Sequence, residues 1–119
     1  MNERPLKEYK YNNYAPKIKR HSKIIEEIEE FLSAMPINYE FSRNWFKTEL
    51  SRIYKRSEGS YIPSDYCYNR ENKGINYDKQ PHYFLFLGKG QYQYVGKNYN
   101  YTGNVESNPL VKIFLLATV

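Results

Sequence analysis

The sequence predicts a small α+β domain in which two to three helices precede a β-hairpin, behind a basic flexible arm over residues 1–20. Three observations carry that expectation. Apolar residues recur at spacings of three and four over residues 22–35 and again over 42–56, the signature of helices with one buried face. Two short aromatic runs flank Gly88-Lys89-Gly90, a hairpin pattern. The length of 119 residues accommodates one core, so residues 21–119 are expected to form a single domain.

Residues 1–20 hold Arg4, Lys7, Lys10, Lys17, Lys19 and Arg20 against Glu3 and Glu8, without a sustained apolar period. Such an arm tracks a phosphate backbone or is simply a solvated tail. In the first helix Ile24, Ile25, Ile28, Phe31, Leu32 and Met35 share one stripe. Ser22 is placed as its N-cap and Pro36 stops it. Glu26, Glu27, Glu29 and Glu30 are expected on the opposite face, which would repel phosphates and make this a scaffold helix.

A short extended piece from Ile37 to Phe41 leads to a second helix capped by Ser42, with Phe41 and Phe46 at hydrophobic-staple positions. Phe46, Leu50 and Ile53 form its apolar stripe, while Arg43, Lys47, Arg52, Lys55 and Arg56 outnumber a lone Glu49. Glu58-Gly59-Ser60 breaks that helix. From Pro63 to Lys73 a third, short helix is predicted, ending at Gly74; Tyr61 to Asn72 reads equally as an ordered loop. The hairpin strands are placed at His82–Leu87 and Gln91–Val95, with Tyr92 and Tyr94 on one face. Residues 109–119 are apolar, too short to span a bilayer, and lean towards helix over strand.

This order of helix, extended piece, helix, short polar helix and hairpin is that of a winged helix, whose third helix enters the major groove. The run from Gly59 to Arg70, GSYIPSDYCYNR, with Asn72-Lys73-Gly74 after it, resembles a signature of an uncharacterised bacterial and phage domain family. Tyr94 to Gly103, YVGKNYNYTG, resembles its second signature. The resemblance covers about residues 40–103. It implies a winged-helix character and occurrence alone or beside nuclease-type domains, and it implies no catalytic residues.

Charge and chemistry point the same way. Lys and Arg number 18 against 13 Asp and Glu, and the net charge of +5 suits a polyanionic partner. Fourteen tyrosines supply rings that stack on bases or, equally, fill a core. His21 and His82 have no neighbouring carboxylate at metal-ligand spacing, and Cys67 lacks a local nucleophile motif. Asp65, Glu71 and Glu58 are explained as turn and cap residues rather than a nuclease metal site. Gly90 and Gly96 stand six apart, not five, and Asn98 replaces the hydroxyl residue of a phosphate loop. No metal or cofactor is therefore expected. The first five residues lack the apolar core of a secretory leader, and a cytoplasmic, non-membrane setting is expected.

The resulting expectation is a small non-enzymatic protein that binds nucleic acid, double-stranded DNA first. Arg43, Lys47, Arg52, Lys55, Arg56 and Lys89 are expected to hold phosphates. Ser64, Tyr68, Asn69, Arg70 and Lys73 are expected to approach bases. Pairing of the apolar C-terminal segments would give a homodimer. The alternative is a protein-interaction module, such as a phage-encoded inhibitor of a host defence nuclease, that uses the aromatic hairpin and Tyr99-Asn100-Tyr101.

Overall fold

The computed structural model describes residues 23–107. The predicted arm, His21, Ser22 and the C-terminal segment from 109 lie outside the described residues. Helix α1 spans Ile24–Leu32, and its N-cap is Lys23 rather than Ser22. The Glu26 carboxylate folds back to accept the Lys23 amide at 3.0 Å, so an acid supplies the capping oxygen. Ser33 closes the other end, donating its hydroxyl to the Glu30 carbonyl at 2.6 Å. Ile28, Phe31 and Leu32 are buried as the stripe predicts, and Met35 follows them in from outside the helix.

Strand β1 (Glu40–Ser42) runs straight into α2 (Arg43–Tyr54). The Ser42 hydroxyl accepts the Trp45 amide at 3.0 Å, the cap read from the sequence. Phe41 and Phe46 close the staple with ring centroids 5.4 Å apart. Helix α2 ends in a left-handed residue, Lys55, at φ 63°.

The predicted third helix is absent. Pro63–Tyr66 makes one 3₁₀ turn, after which the chain extends and Arg70–Glu71 forms β2. The reason lies in burial: Tyr66, Cys67 and Tyr68 are all buried, and three consecutive inward side chains do not suit a helix with one buried stripe. The segment instead lies along β3 (Phe84–Gly88). Cys67 bridges Phe84 in parallel fashion. The Asn69 side chain then grips the Phe86 backbone from both sides, donating to its carbonyl at 2.9 Å and accepting its amide at 2.8 Å. One asparagine thus stands in for a strand neighbour and closes that edge.

Strand β4 (Gln91–Tyr94) completes the hairpin. Gly88 opposes Gln91, which leaves Lys89-Gly90 as a two-residue turn with φ of 51° and 72°. Two positive values are what a type I′ turn requires, so lysine sits there under mild strain while glycine does not. A bulge at Leu87 separates the turn from the Phe86–Tyr92 pair. Strand β1 pairs antiparallel with β4, giving a three-stranded sheet of order β1–β4–β3. A second ladder joins β2 in parallel to β5 (Glu106–Ser107).

The core lies between this sheet and the two helices. Phe84 meets Phe41 and Phe46 edge-on at centroid separations of 5.2 and 5.4 Å, and Phe46 meets Phe31 at 5.9 Å. Tyrosines extend it: Tyr39, Tyr61, Tyr66, Tyr68, Tyr83 and Tyr92 are all buried. The fold is a mixed α+β globule with an antiparallel sheet.

Candidate functional site

Of the acidic residues of α1, Glu26 is exposed, Glu29 and Glu30 are half-buried, and Glu27 is buried. Glu27 is 3% exposed and receives the Tyr61 hydroxyl at 2.6 Å, together with the Arg56 Nε at 2.8 and 3.0 Å to its two oxygens. Glu30 accepts the Tyr54 hydroxyl at 2.5 Å. Glu29 accepts Tyr83 at 2.7 Å and Lys97 at 3.1 Å, and the Tyr83 bond chiefly holds its carboxyl below the usual range. Burial, then the bond to Glu27, raises the Tyr61 phenol; burial, then the bond to Glu29, does the same for Tyr83. Tyrosine hydroxyls from three remote positions thus satisfy the acids that the helix turns inward.

This network divides the expected phosphate-binding residues. Arg56 is committed to Glu27, and Arg52 pairs with the buried Glu49 at 2.8 Å. Both sit near the C-terminal end of α2 with the exposed Lys55. At the other end, about 18 Å away along a helix of 12 residues, Arg43 begins α2 and donates its amide to the Gly90 carbonyl at 2.8 Å. That bond seats the helix start on the hairpin turn, beside Lys89. Lys47 lies one helical turn further on. No ion pair engages the Arg43, Lys47 or Lys89 side chains among the described residues.

The expected base-reading residues are occupied by the fold, with two exceptions. Tyr68 is buried and donates its hydroxyl to the Gly96 carbonyl at 2.6 Å. Asn69 is spent on Phe86. Lys73 is exposed in the turn after β2. Arg70 is half-buried, its guanidinium carbon 4.0 Å above the centre of the Phe86 ring.

Ser64, beside Asp65 on the 3₁₀ turn, accepts from the Asn72 amide at 2.8 Å, and the same amide nitrogen donates to Asp65 at 2.7 Å. Burial pushes the Asp65 carboxyl above its usual range and the Asn72 bond pulls it back. Tyr92 packs its ring 5.3 Å from Phe86. Burial raises its phenol to about 12, against the opposing influence of Ser64, Arg43 and Arg70.

Asn72 is not among the residues the sequence places at a site, and Tyr92 enters there only in the protein-interaction alternative. The Ser-Asp pair followed by Asn72 was a local signal for the first. Nothing local marked Tyr92, whose neighbours come from three other segments. Tyr92, at 2% exposure, and the half-buried Tyr94 pack against the core. Tyr99 is 41% exposed and rests edge-on against Tyr68 at 5.4 Å.

Among the described residues no group of three His, Cys, Asp or Glu is placed to hold a metal ion, and no helix is long and apolar enough to cross a membrane. Cys67 is buried and its thiol is pushed well up by burial, which leaves it a poor nucleophile.

Residues 23–112 match the family described as Domain of unknown function (DUF7225), and the chain belongs to that family. A protein of Bacillus subtilis (strain 168), titled "Uncharacterized protein YnaC", is 41% identical over 80 residues, which are 67% of this chain and 29% of the relative. The chain thus spans under a third of that relative's length. No solved structure matches it.

Proposed function

We propose that this family member is a small non-enzymatic nucleic-acid-binding module on a winged-helix-like frame, with double-stranded DNA as its first candidate ligand. The observation that carries the reading is the gathering of Arg43, Lys89 and Arg70 at one end of the sheet, with Lys47 one turn away. None of these four side chains is paired to an acid among the described residues, whereas the acids of α1 are engaged internally. Unpaired cations gathered on one end, with the α1 glutamates bonded to tyrosines, Arg56 and Lys97 elsewhere, are the electrostatic footprint of a phosphate-binding surface. The order α1–β1–α2–hairpin and the sheet order β1–β4–β3 support the winged-helix-like reading. In place of a recognition helix stands a 3₁₀ turn, so contacts fall to phosphates more than to base edges.

Fluorescence anisotropy with a mixed-sequence duplex and a matching single strand, over a salt series, tests the reading. The expected result is salt-dependent binding that a Lys47→Glu/Lys89→Glu variant with unchanged unfolding loses. Absence of binding to both strand forms at low salt overturns it. The second reading, a protein-interaction module, rests on the exposed Tyr99 and its cluster with Tyr68 and Tyr101. It predicts that Tyr99→Ala abolishes capture of a partner while leaving nucleic acid unaffected.

A further inference from the structure

Five aromatic rings meet at the end of the sheet opposite the hairpin turn. Tyr68 is at their centre: its amide donates to the carbonyl of Phe84, where β3 begins. Its ring centroid lies 5.4 Å from His82, 5.4 Å from Tyr99 and 6.2 Å from Tyr101. Tyr77 stacks on His82 at 4.2 Å. Backbone carbonyls tether three of the four tyrosines by their tips. Tyr68 donates to Gly96 and Tyr77 to Tyr68, both at 2.6 Å, and Tyr101 donates to Asn104. The Tyr101 hydroxyl also lies 2.5 Å from where a Gly103 Cβ would stand, so any larger residue there would displace the ring.

Tyr99, at 41% exposure, is the most open of these tyrosines, and no hydrogen bond among the described residues holds its hydroxyl. Its neighbours Asn98 and Asn100 are exposed as well, and no hydrogen bond among the described residues engages either side chain. Residues 95–104 contain no acid. Lys97 in that stretch pairs with Glu29 yet stays 59% exposed, and Asp78 beside Tyr77 is followed by Lys79. Anchored flat rings with free amides between them match a flat heterocycle that carries donors and acceptors on its rim, beside a polyanionic backbone.

We infer that Tyr99, with Tyr68 and Tyr101 beside it, stacks unpaired bases of a nucleic-acid strand, while Asn98 and Asn100 bond to base edges. This inference rests on the nucleic-acid reading and deepens it. A base inside a duplex has both faces covered by its neighbours, so the ligand must offer an unpaired stretch. Strand β3, about 13 Å from Phe84 to Gly88, separates this platform from the Arg43–Lys89 end. One strand can thus lay bases on the first and phosphates on the second.

Anisotropy with the single strand and the duplex above compares the wild type with Tyr99→Ala, Tyr99→Leu and Tyr99→Phe, each at an unchanged urea midpoint. The expected result is a loss of about tenfold in single-strand affinity for the alanine and leucine variants, and retention within about twofold for phenylalanine, which keeps the ring. Duplex affinity should not change; an equal loss on the duplex overturns the platform. A second measurement needs no variant: an abasic strand of equal length should bind the wild type about tenfold more weakly than the normal strand. An abasic strand bound as tightly as the normal one overturns the platform. Single-strand binding that survives Tyr99→Ala but is lost in Lys47→Glu/Lys89→Glu also overturns it, and leaves the nucleic-acid reading standing. Capture of a protein that Tyr99→Ala abolishes, with single-strand binding intact, gives the surface to a protein partner and overturns it too. Absence of binding to both strand forms refutes the nucleic-acid reading itself, and this inference with it.

Discussion

Removing the Arg56 side chain should destabilise this domain far more than a surface arginine would, because of what it leaves behind. Glu27 is 3% exposed, and its carboxylate is held by the Arg56 Nε and the Tyr61 hydroxyl. Stripping one partner from a buried ion pair costs ~3–5 kcal/mol, since a charge stays out of water without its counter-ion. Here the Arg56 side chain is 34% exposed. Water can enter the space it vacates, and Tyr61 keeps its bond. The expected cost of Arg56→Ala is therefore about 2–3 kcal/mol, well above the ~0–1 kcal/mol of an exposed pair. In urea the midpoint should fall by on the order of 1–2 M at an unchanged slope. The double variant Glu27→Gln/Arg56→Gln removes both charges and keeps an acceptor for Tyr61, so it should recover at least about 1 kcal/mol of that loss. If Arg56→Ala lies within about 0.5 kcal/mol of Lys47→Ala, the carboxylate is hydrated in the folded state and the reasoning is wrong. Where Arg56→Ala destabilises the domain as expected, loss of nucleic-acid binding in that variant reports unfolding and not a lost phosphate contact.

Three further outcomes follow from single groups. Asn69→Ala should cost about 2 kcal/mol, two hydrogen bonds at roughly 1 kcal/mol each, and should speed hydrogen exchange at the Phe86 amide; Asn69→Asp, which still accepts that amide, should protect it partly. His82 stacks on Tyr77 at 4.2 Å, and burial holds its imidazole below the ordinary value against the pull of Asp78 and the Tyr77 backbone. Its contribution to stability is thus present above the ordinary histidine value and is lost as pH falls through the lowered one; His82→Gln should flatten the difference between urea midpoints at pH 7.5 and 5.0. Lys55 ends α2 at φ 63°, a conformation glycine adopts without a Cβ penalty, so Lys55→Gly should stabilise the domain by about 0.5–1 kcal/mol, read as a higher thermal midpoint.

What the sequence made legible is what neighbours in the chain decide. The α1 stripe, the Ser42 cap, the Phe41–Phe46 staple and the Lys89-Gly90 turn all depend on residues within a few positions of each other. The stretch from Pro63 to Lys73 stays open between a short helix and an ordered loop in the sequence because its fate is set 17 residues away, where Phe86 offers an amide and a carbonyl that Asn69 can take. Its polar composition suited a recognition helix equally well. The partners of the α1 glutamates were hidden for the same reason: Tyr54, Tyr61 and Tyr83 reach Glu30, Glu27 and Glu29 from separations of 24, 34 and 54 positions. A chain with fourteen tyrosines carried the hint, since each buried ring needs a partner for its hydroxyl, but not the addresses.

The same occupancy bears on selectivity. Of the residues suited by type to reading bases, Tyr68 and Asn69 are committed to the Gly96 and Phe86 backbones, and Ser64 is engaged with Asn72. Under the nucleic-acid proposal, what remains at the hairpin end is Arg43, Lys47, Arg70 and Lys89, groups that position a backbone but carry no sequence code on their own. Affinity should then fall steeply with salt and differ by less than about tenfold among duplexes of equal length and unrelated sequence, against the ~10³–10⁷ that separates specific from non-specific binding in a reader of base edges. Competition of unlabelled random duplexes against one labelled duplex measures this directly. A single preferred sequence standing hundreds of times above the rest would require base contacts from Lys73 or from residues outside 23–107, and would move the reading surface away from the sheet end that the four cations define.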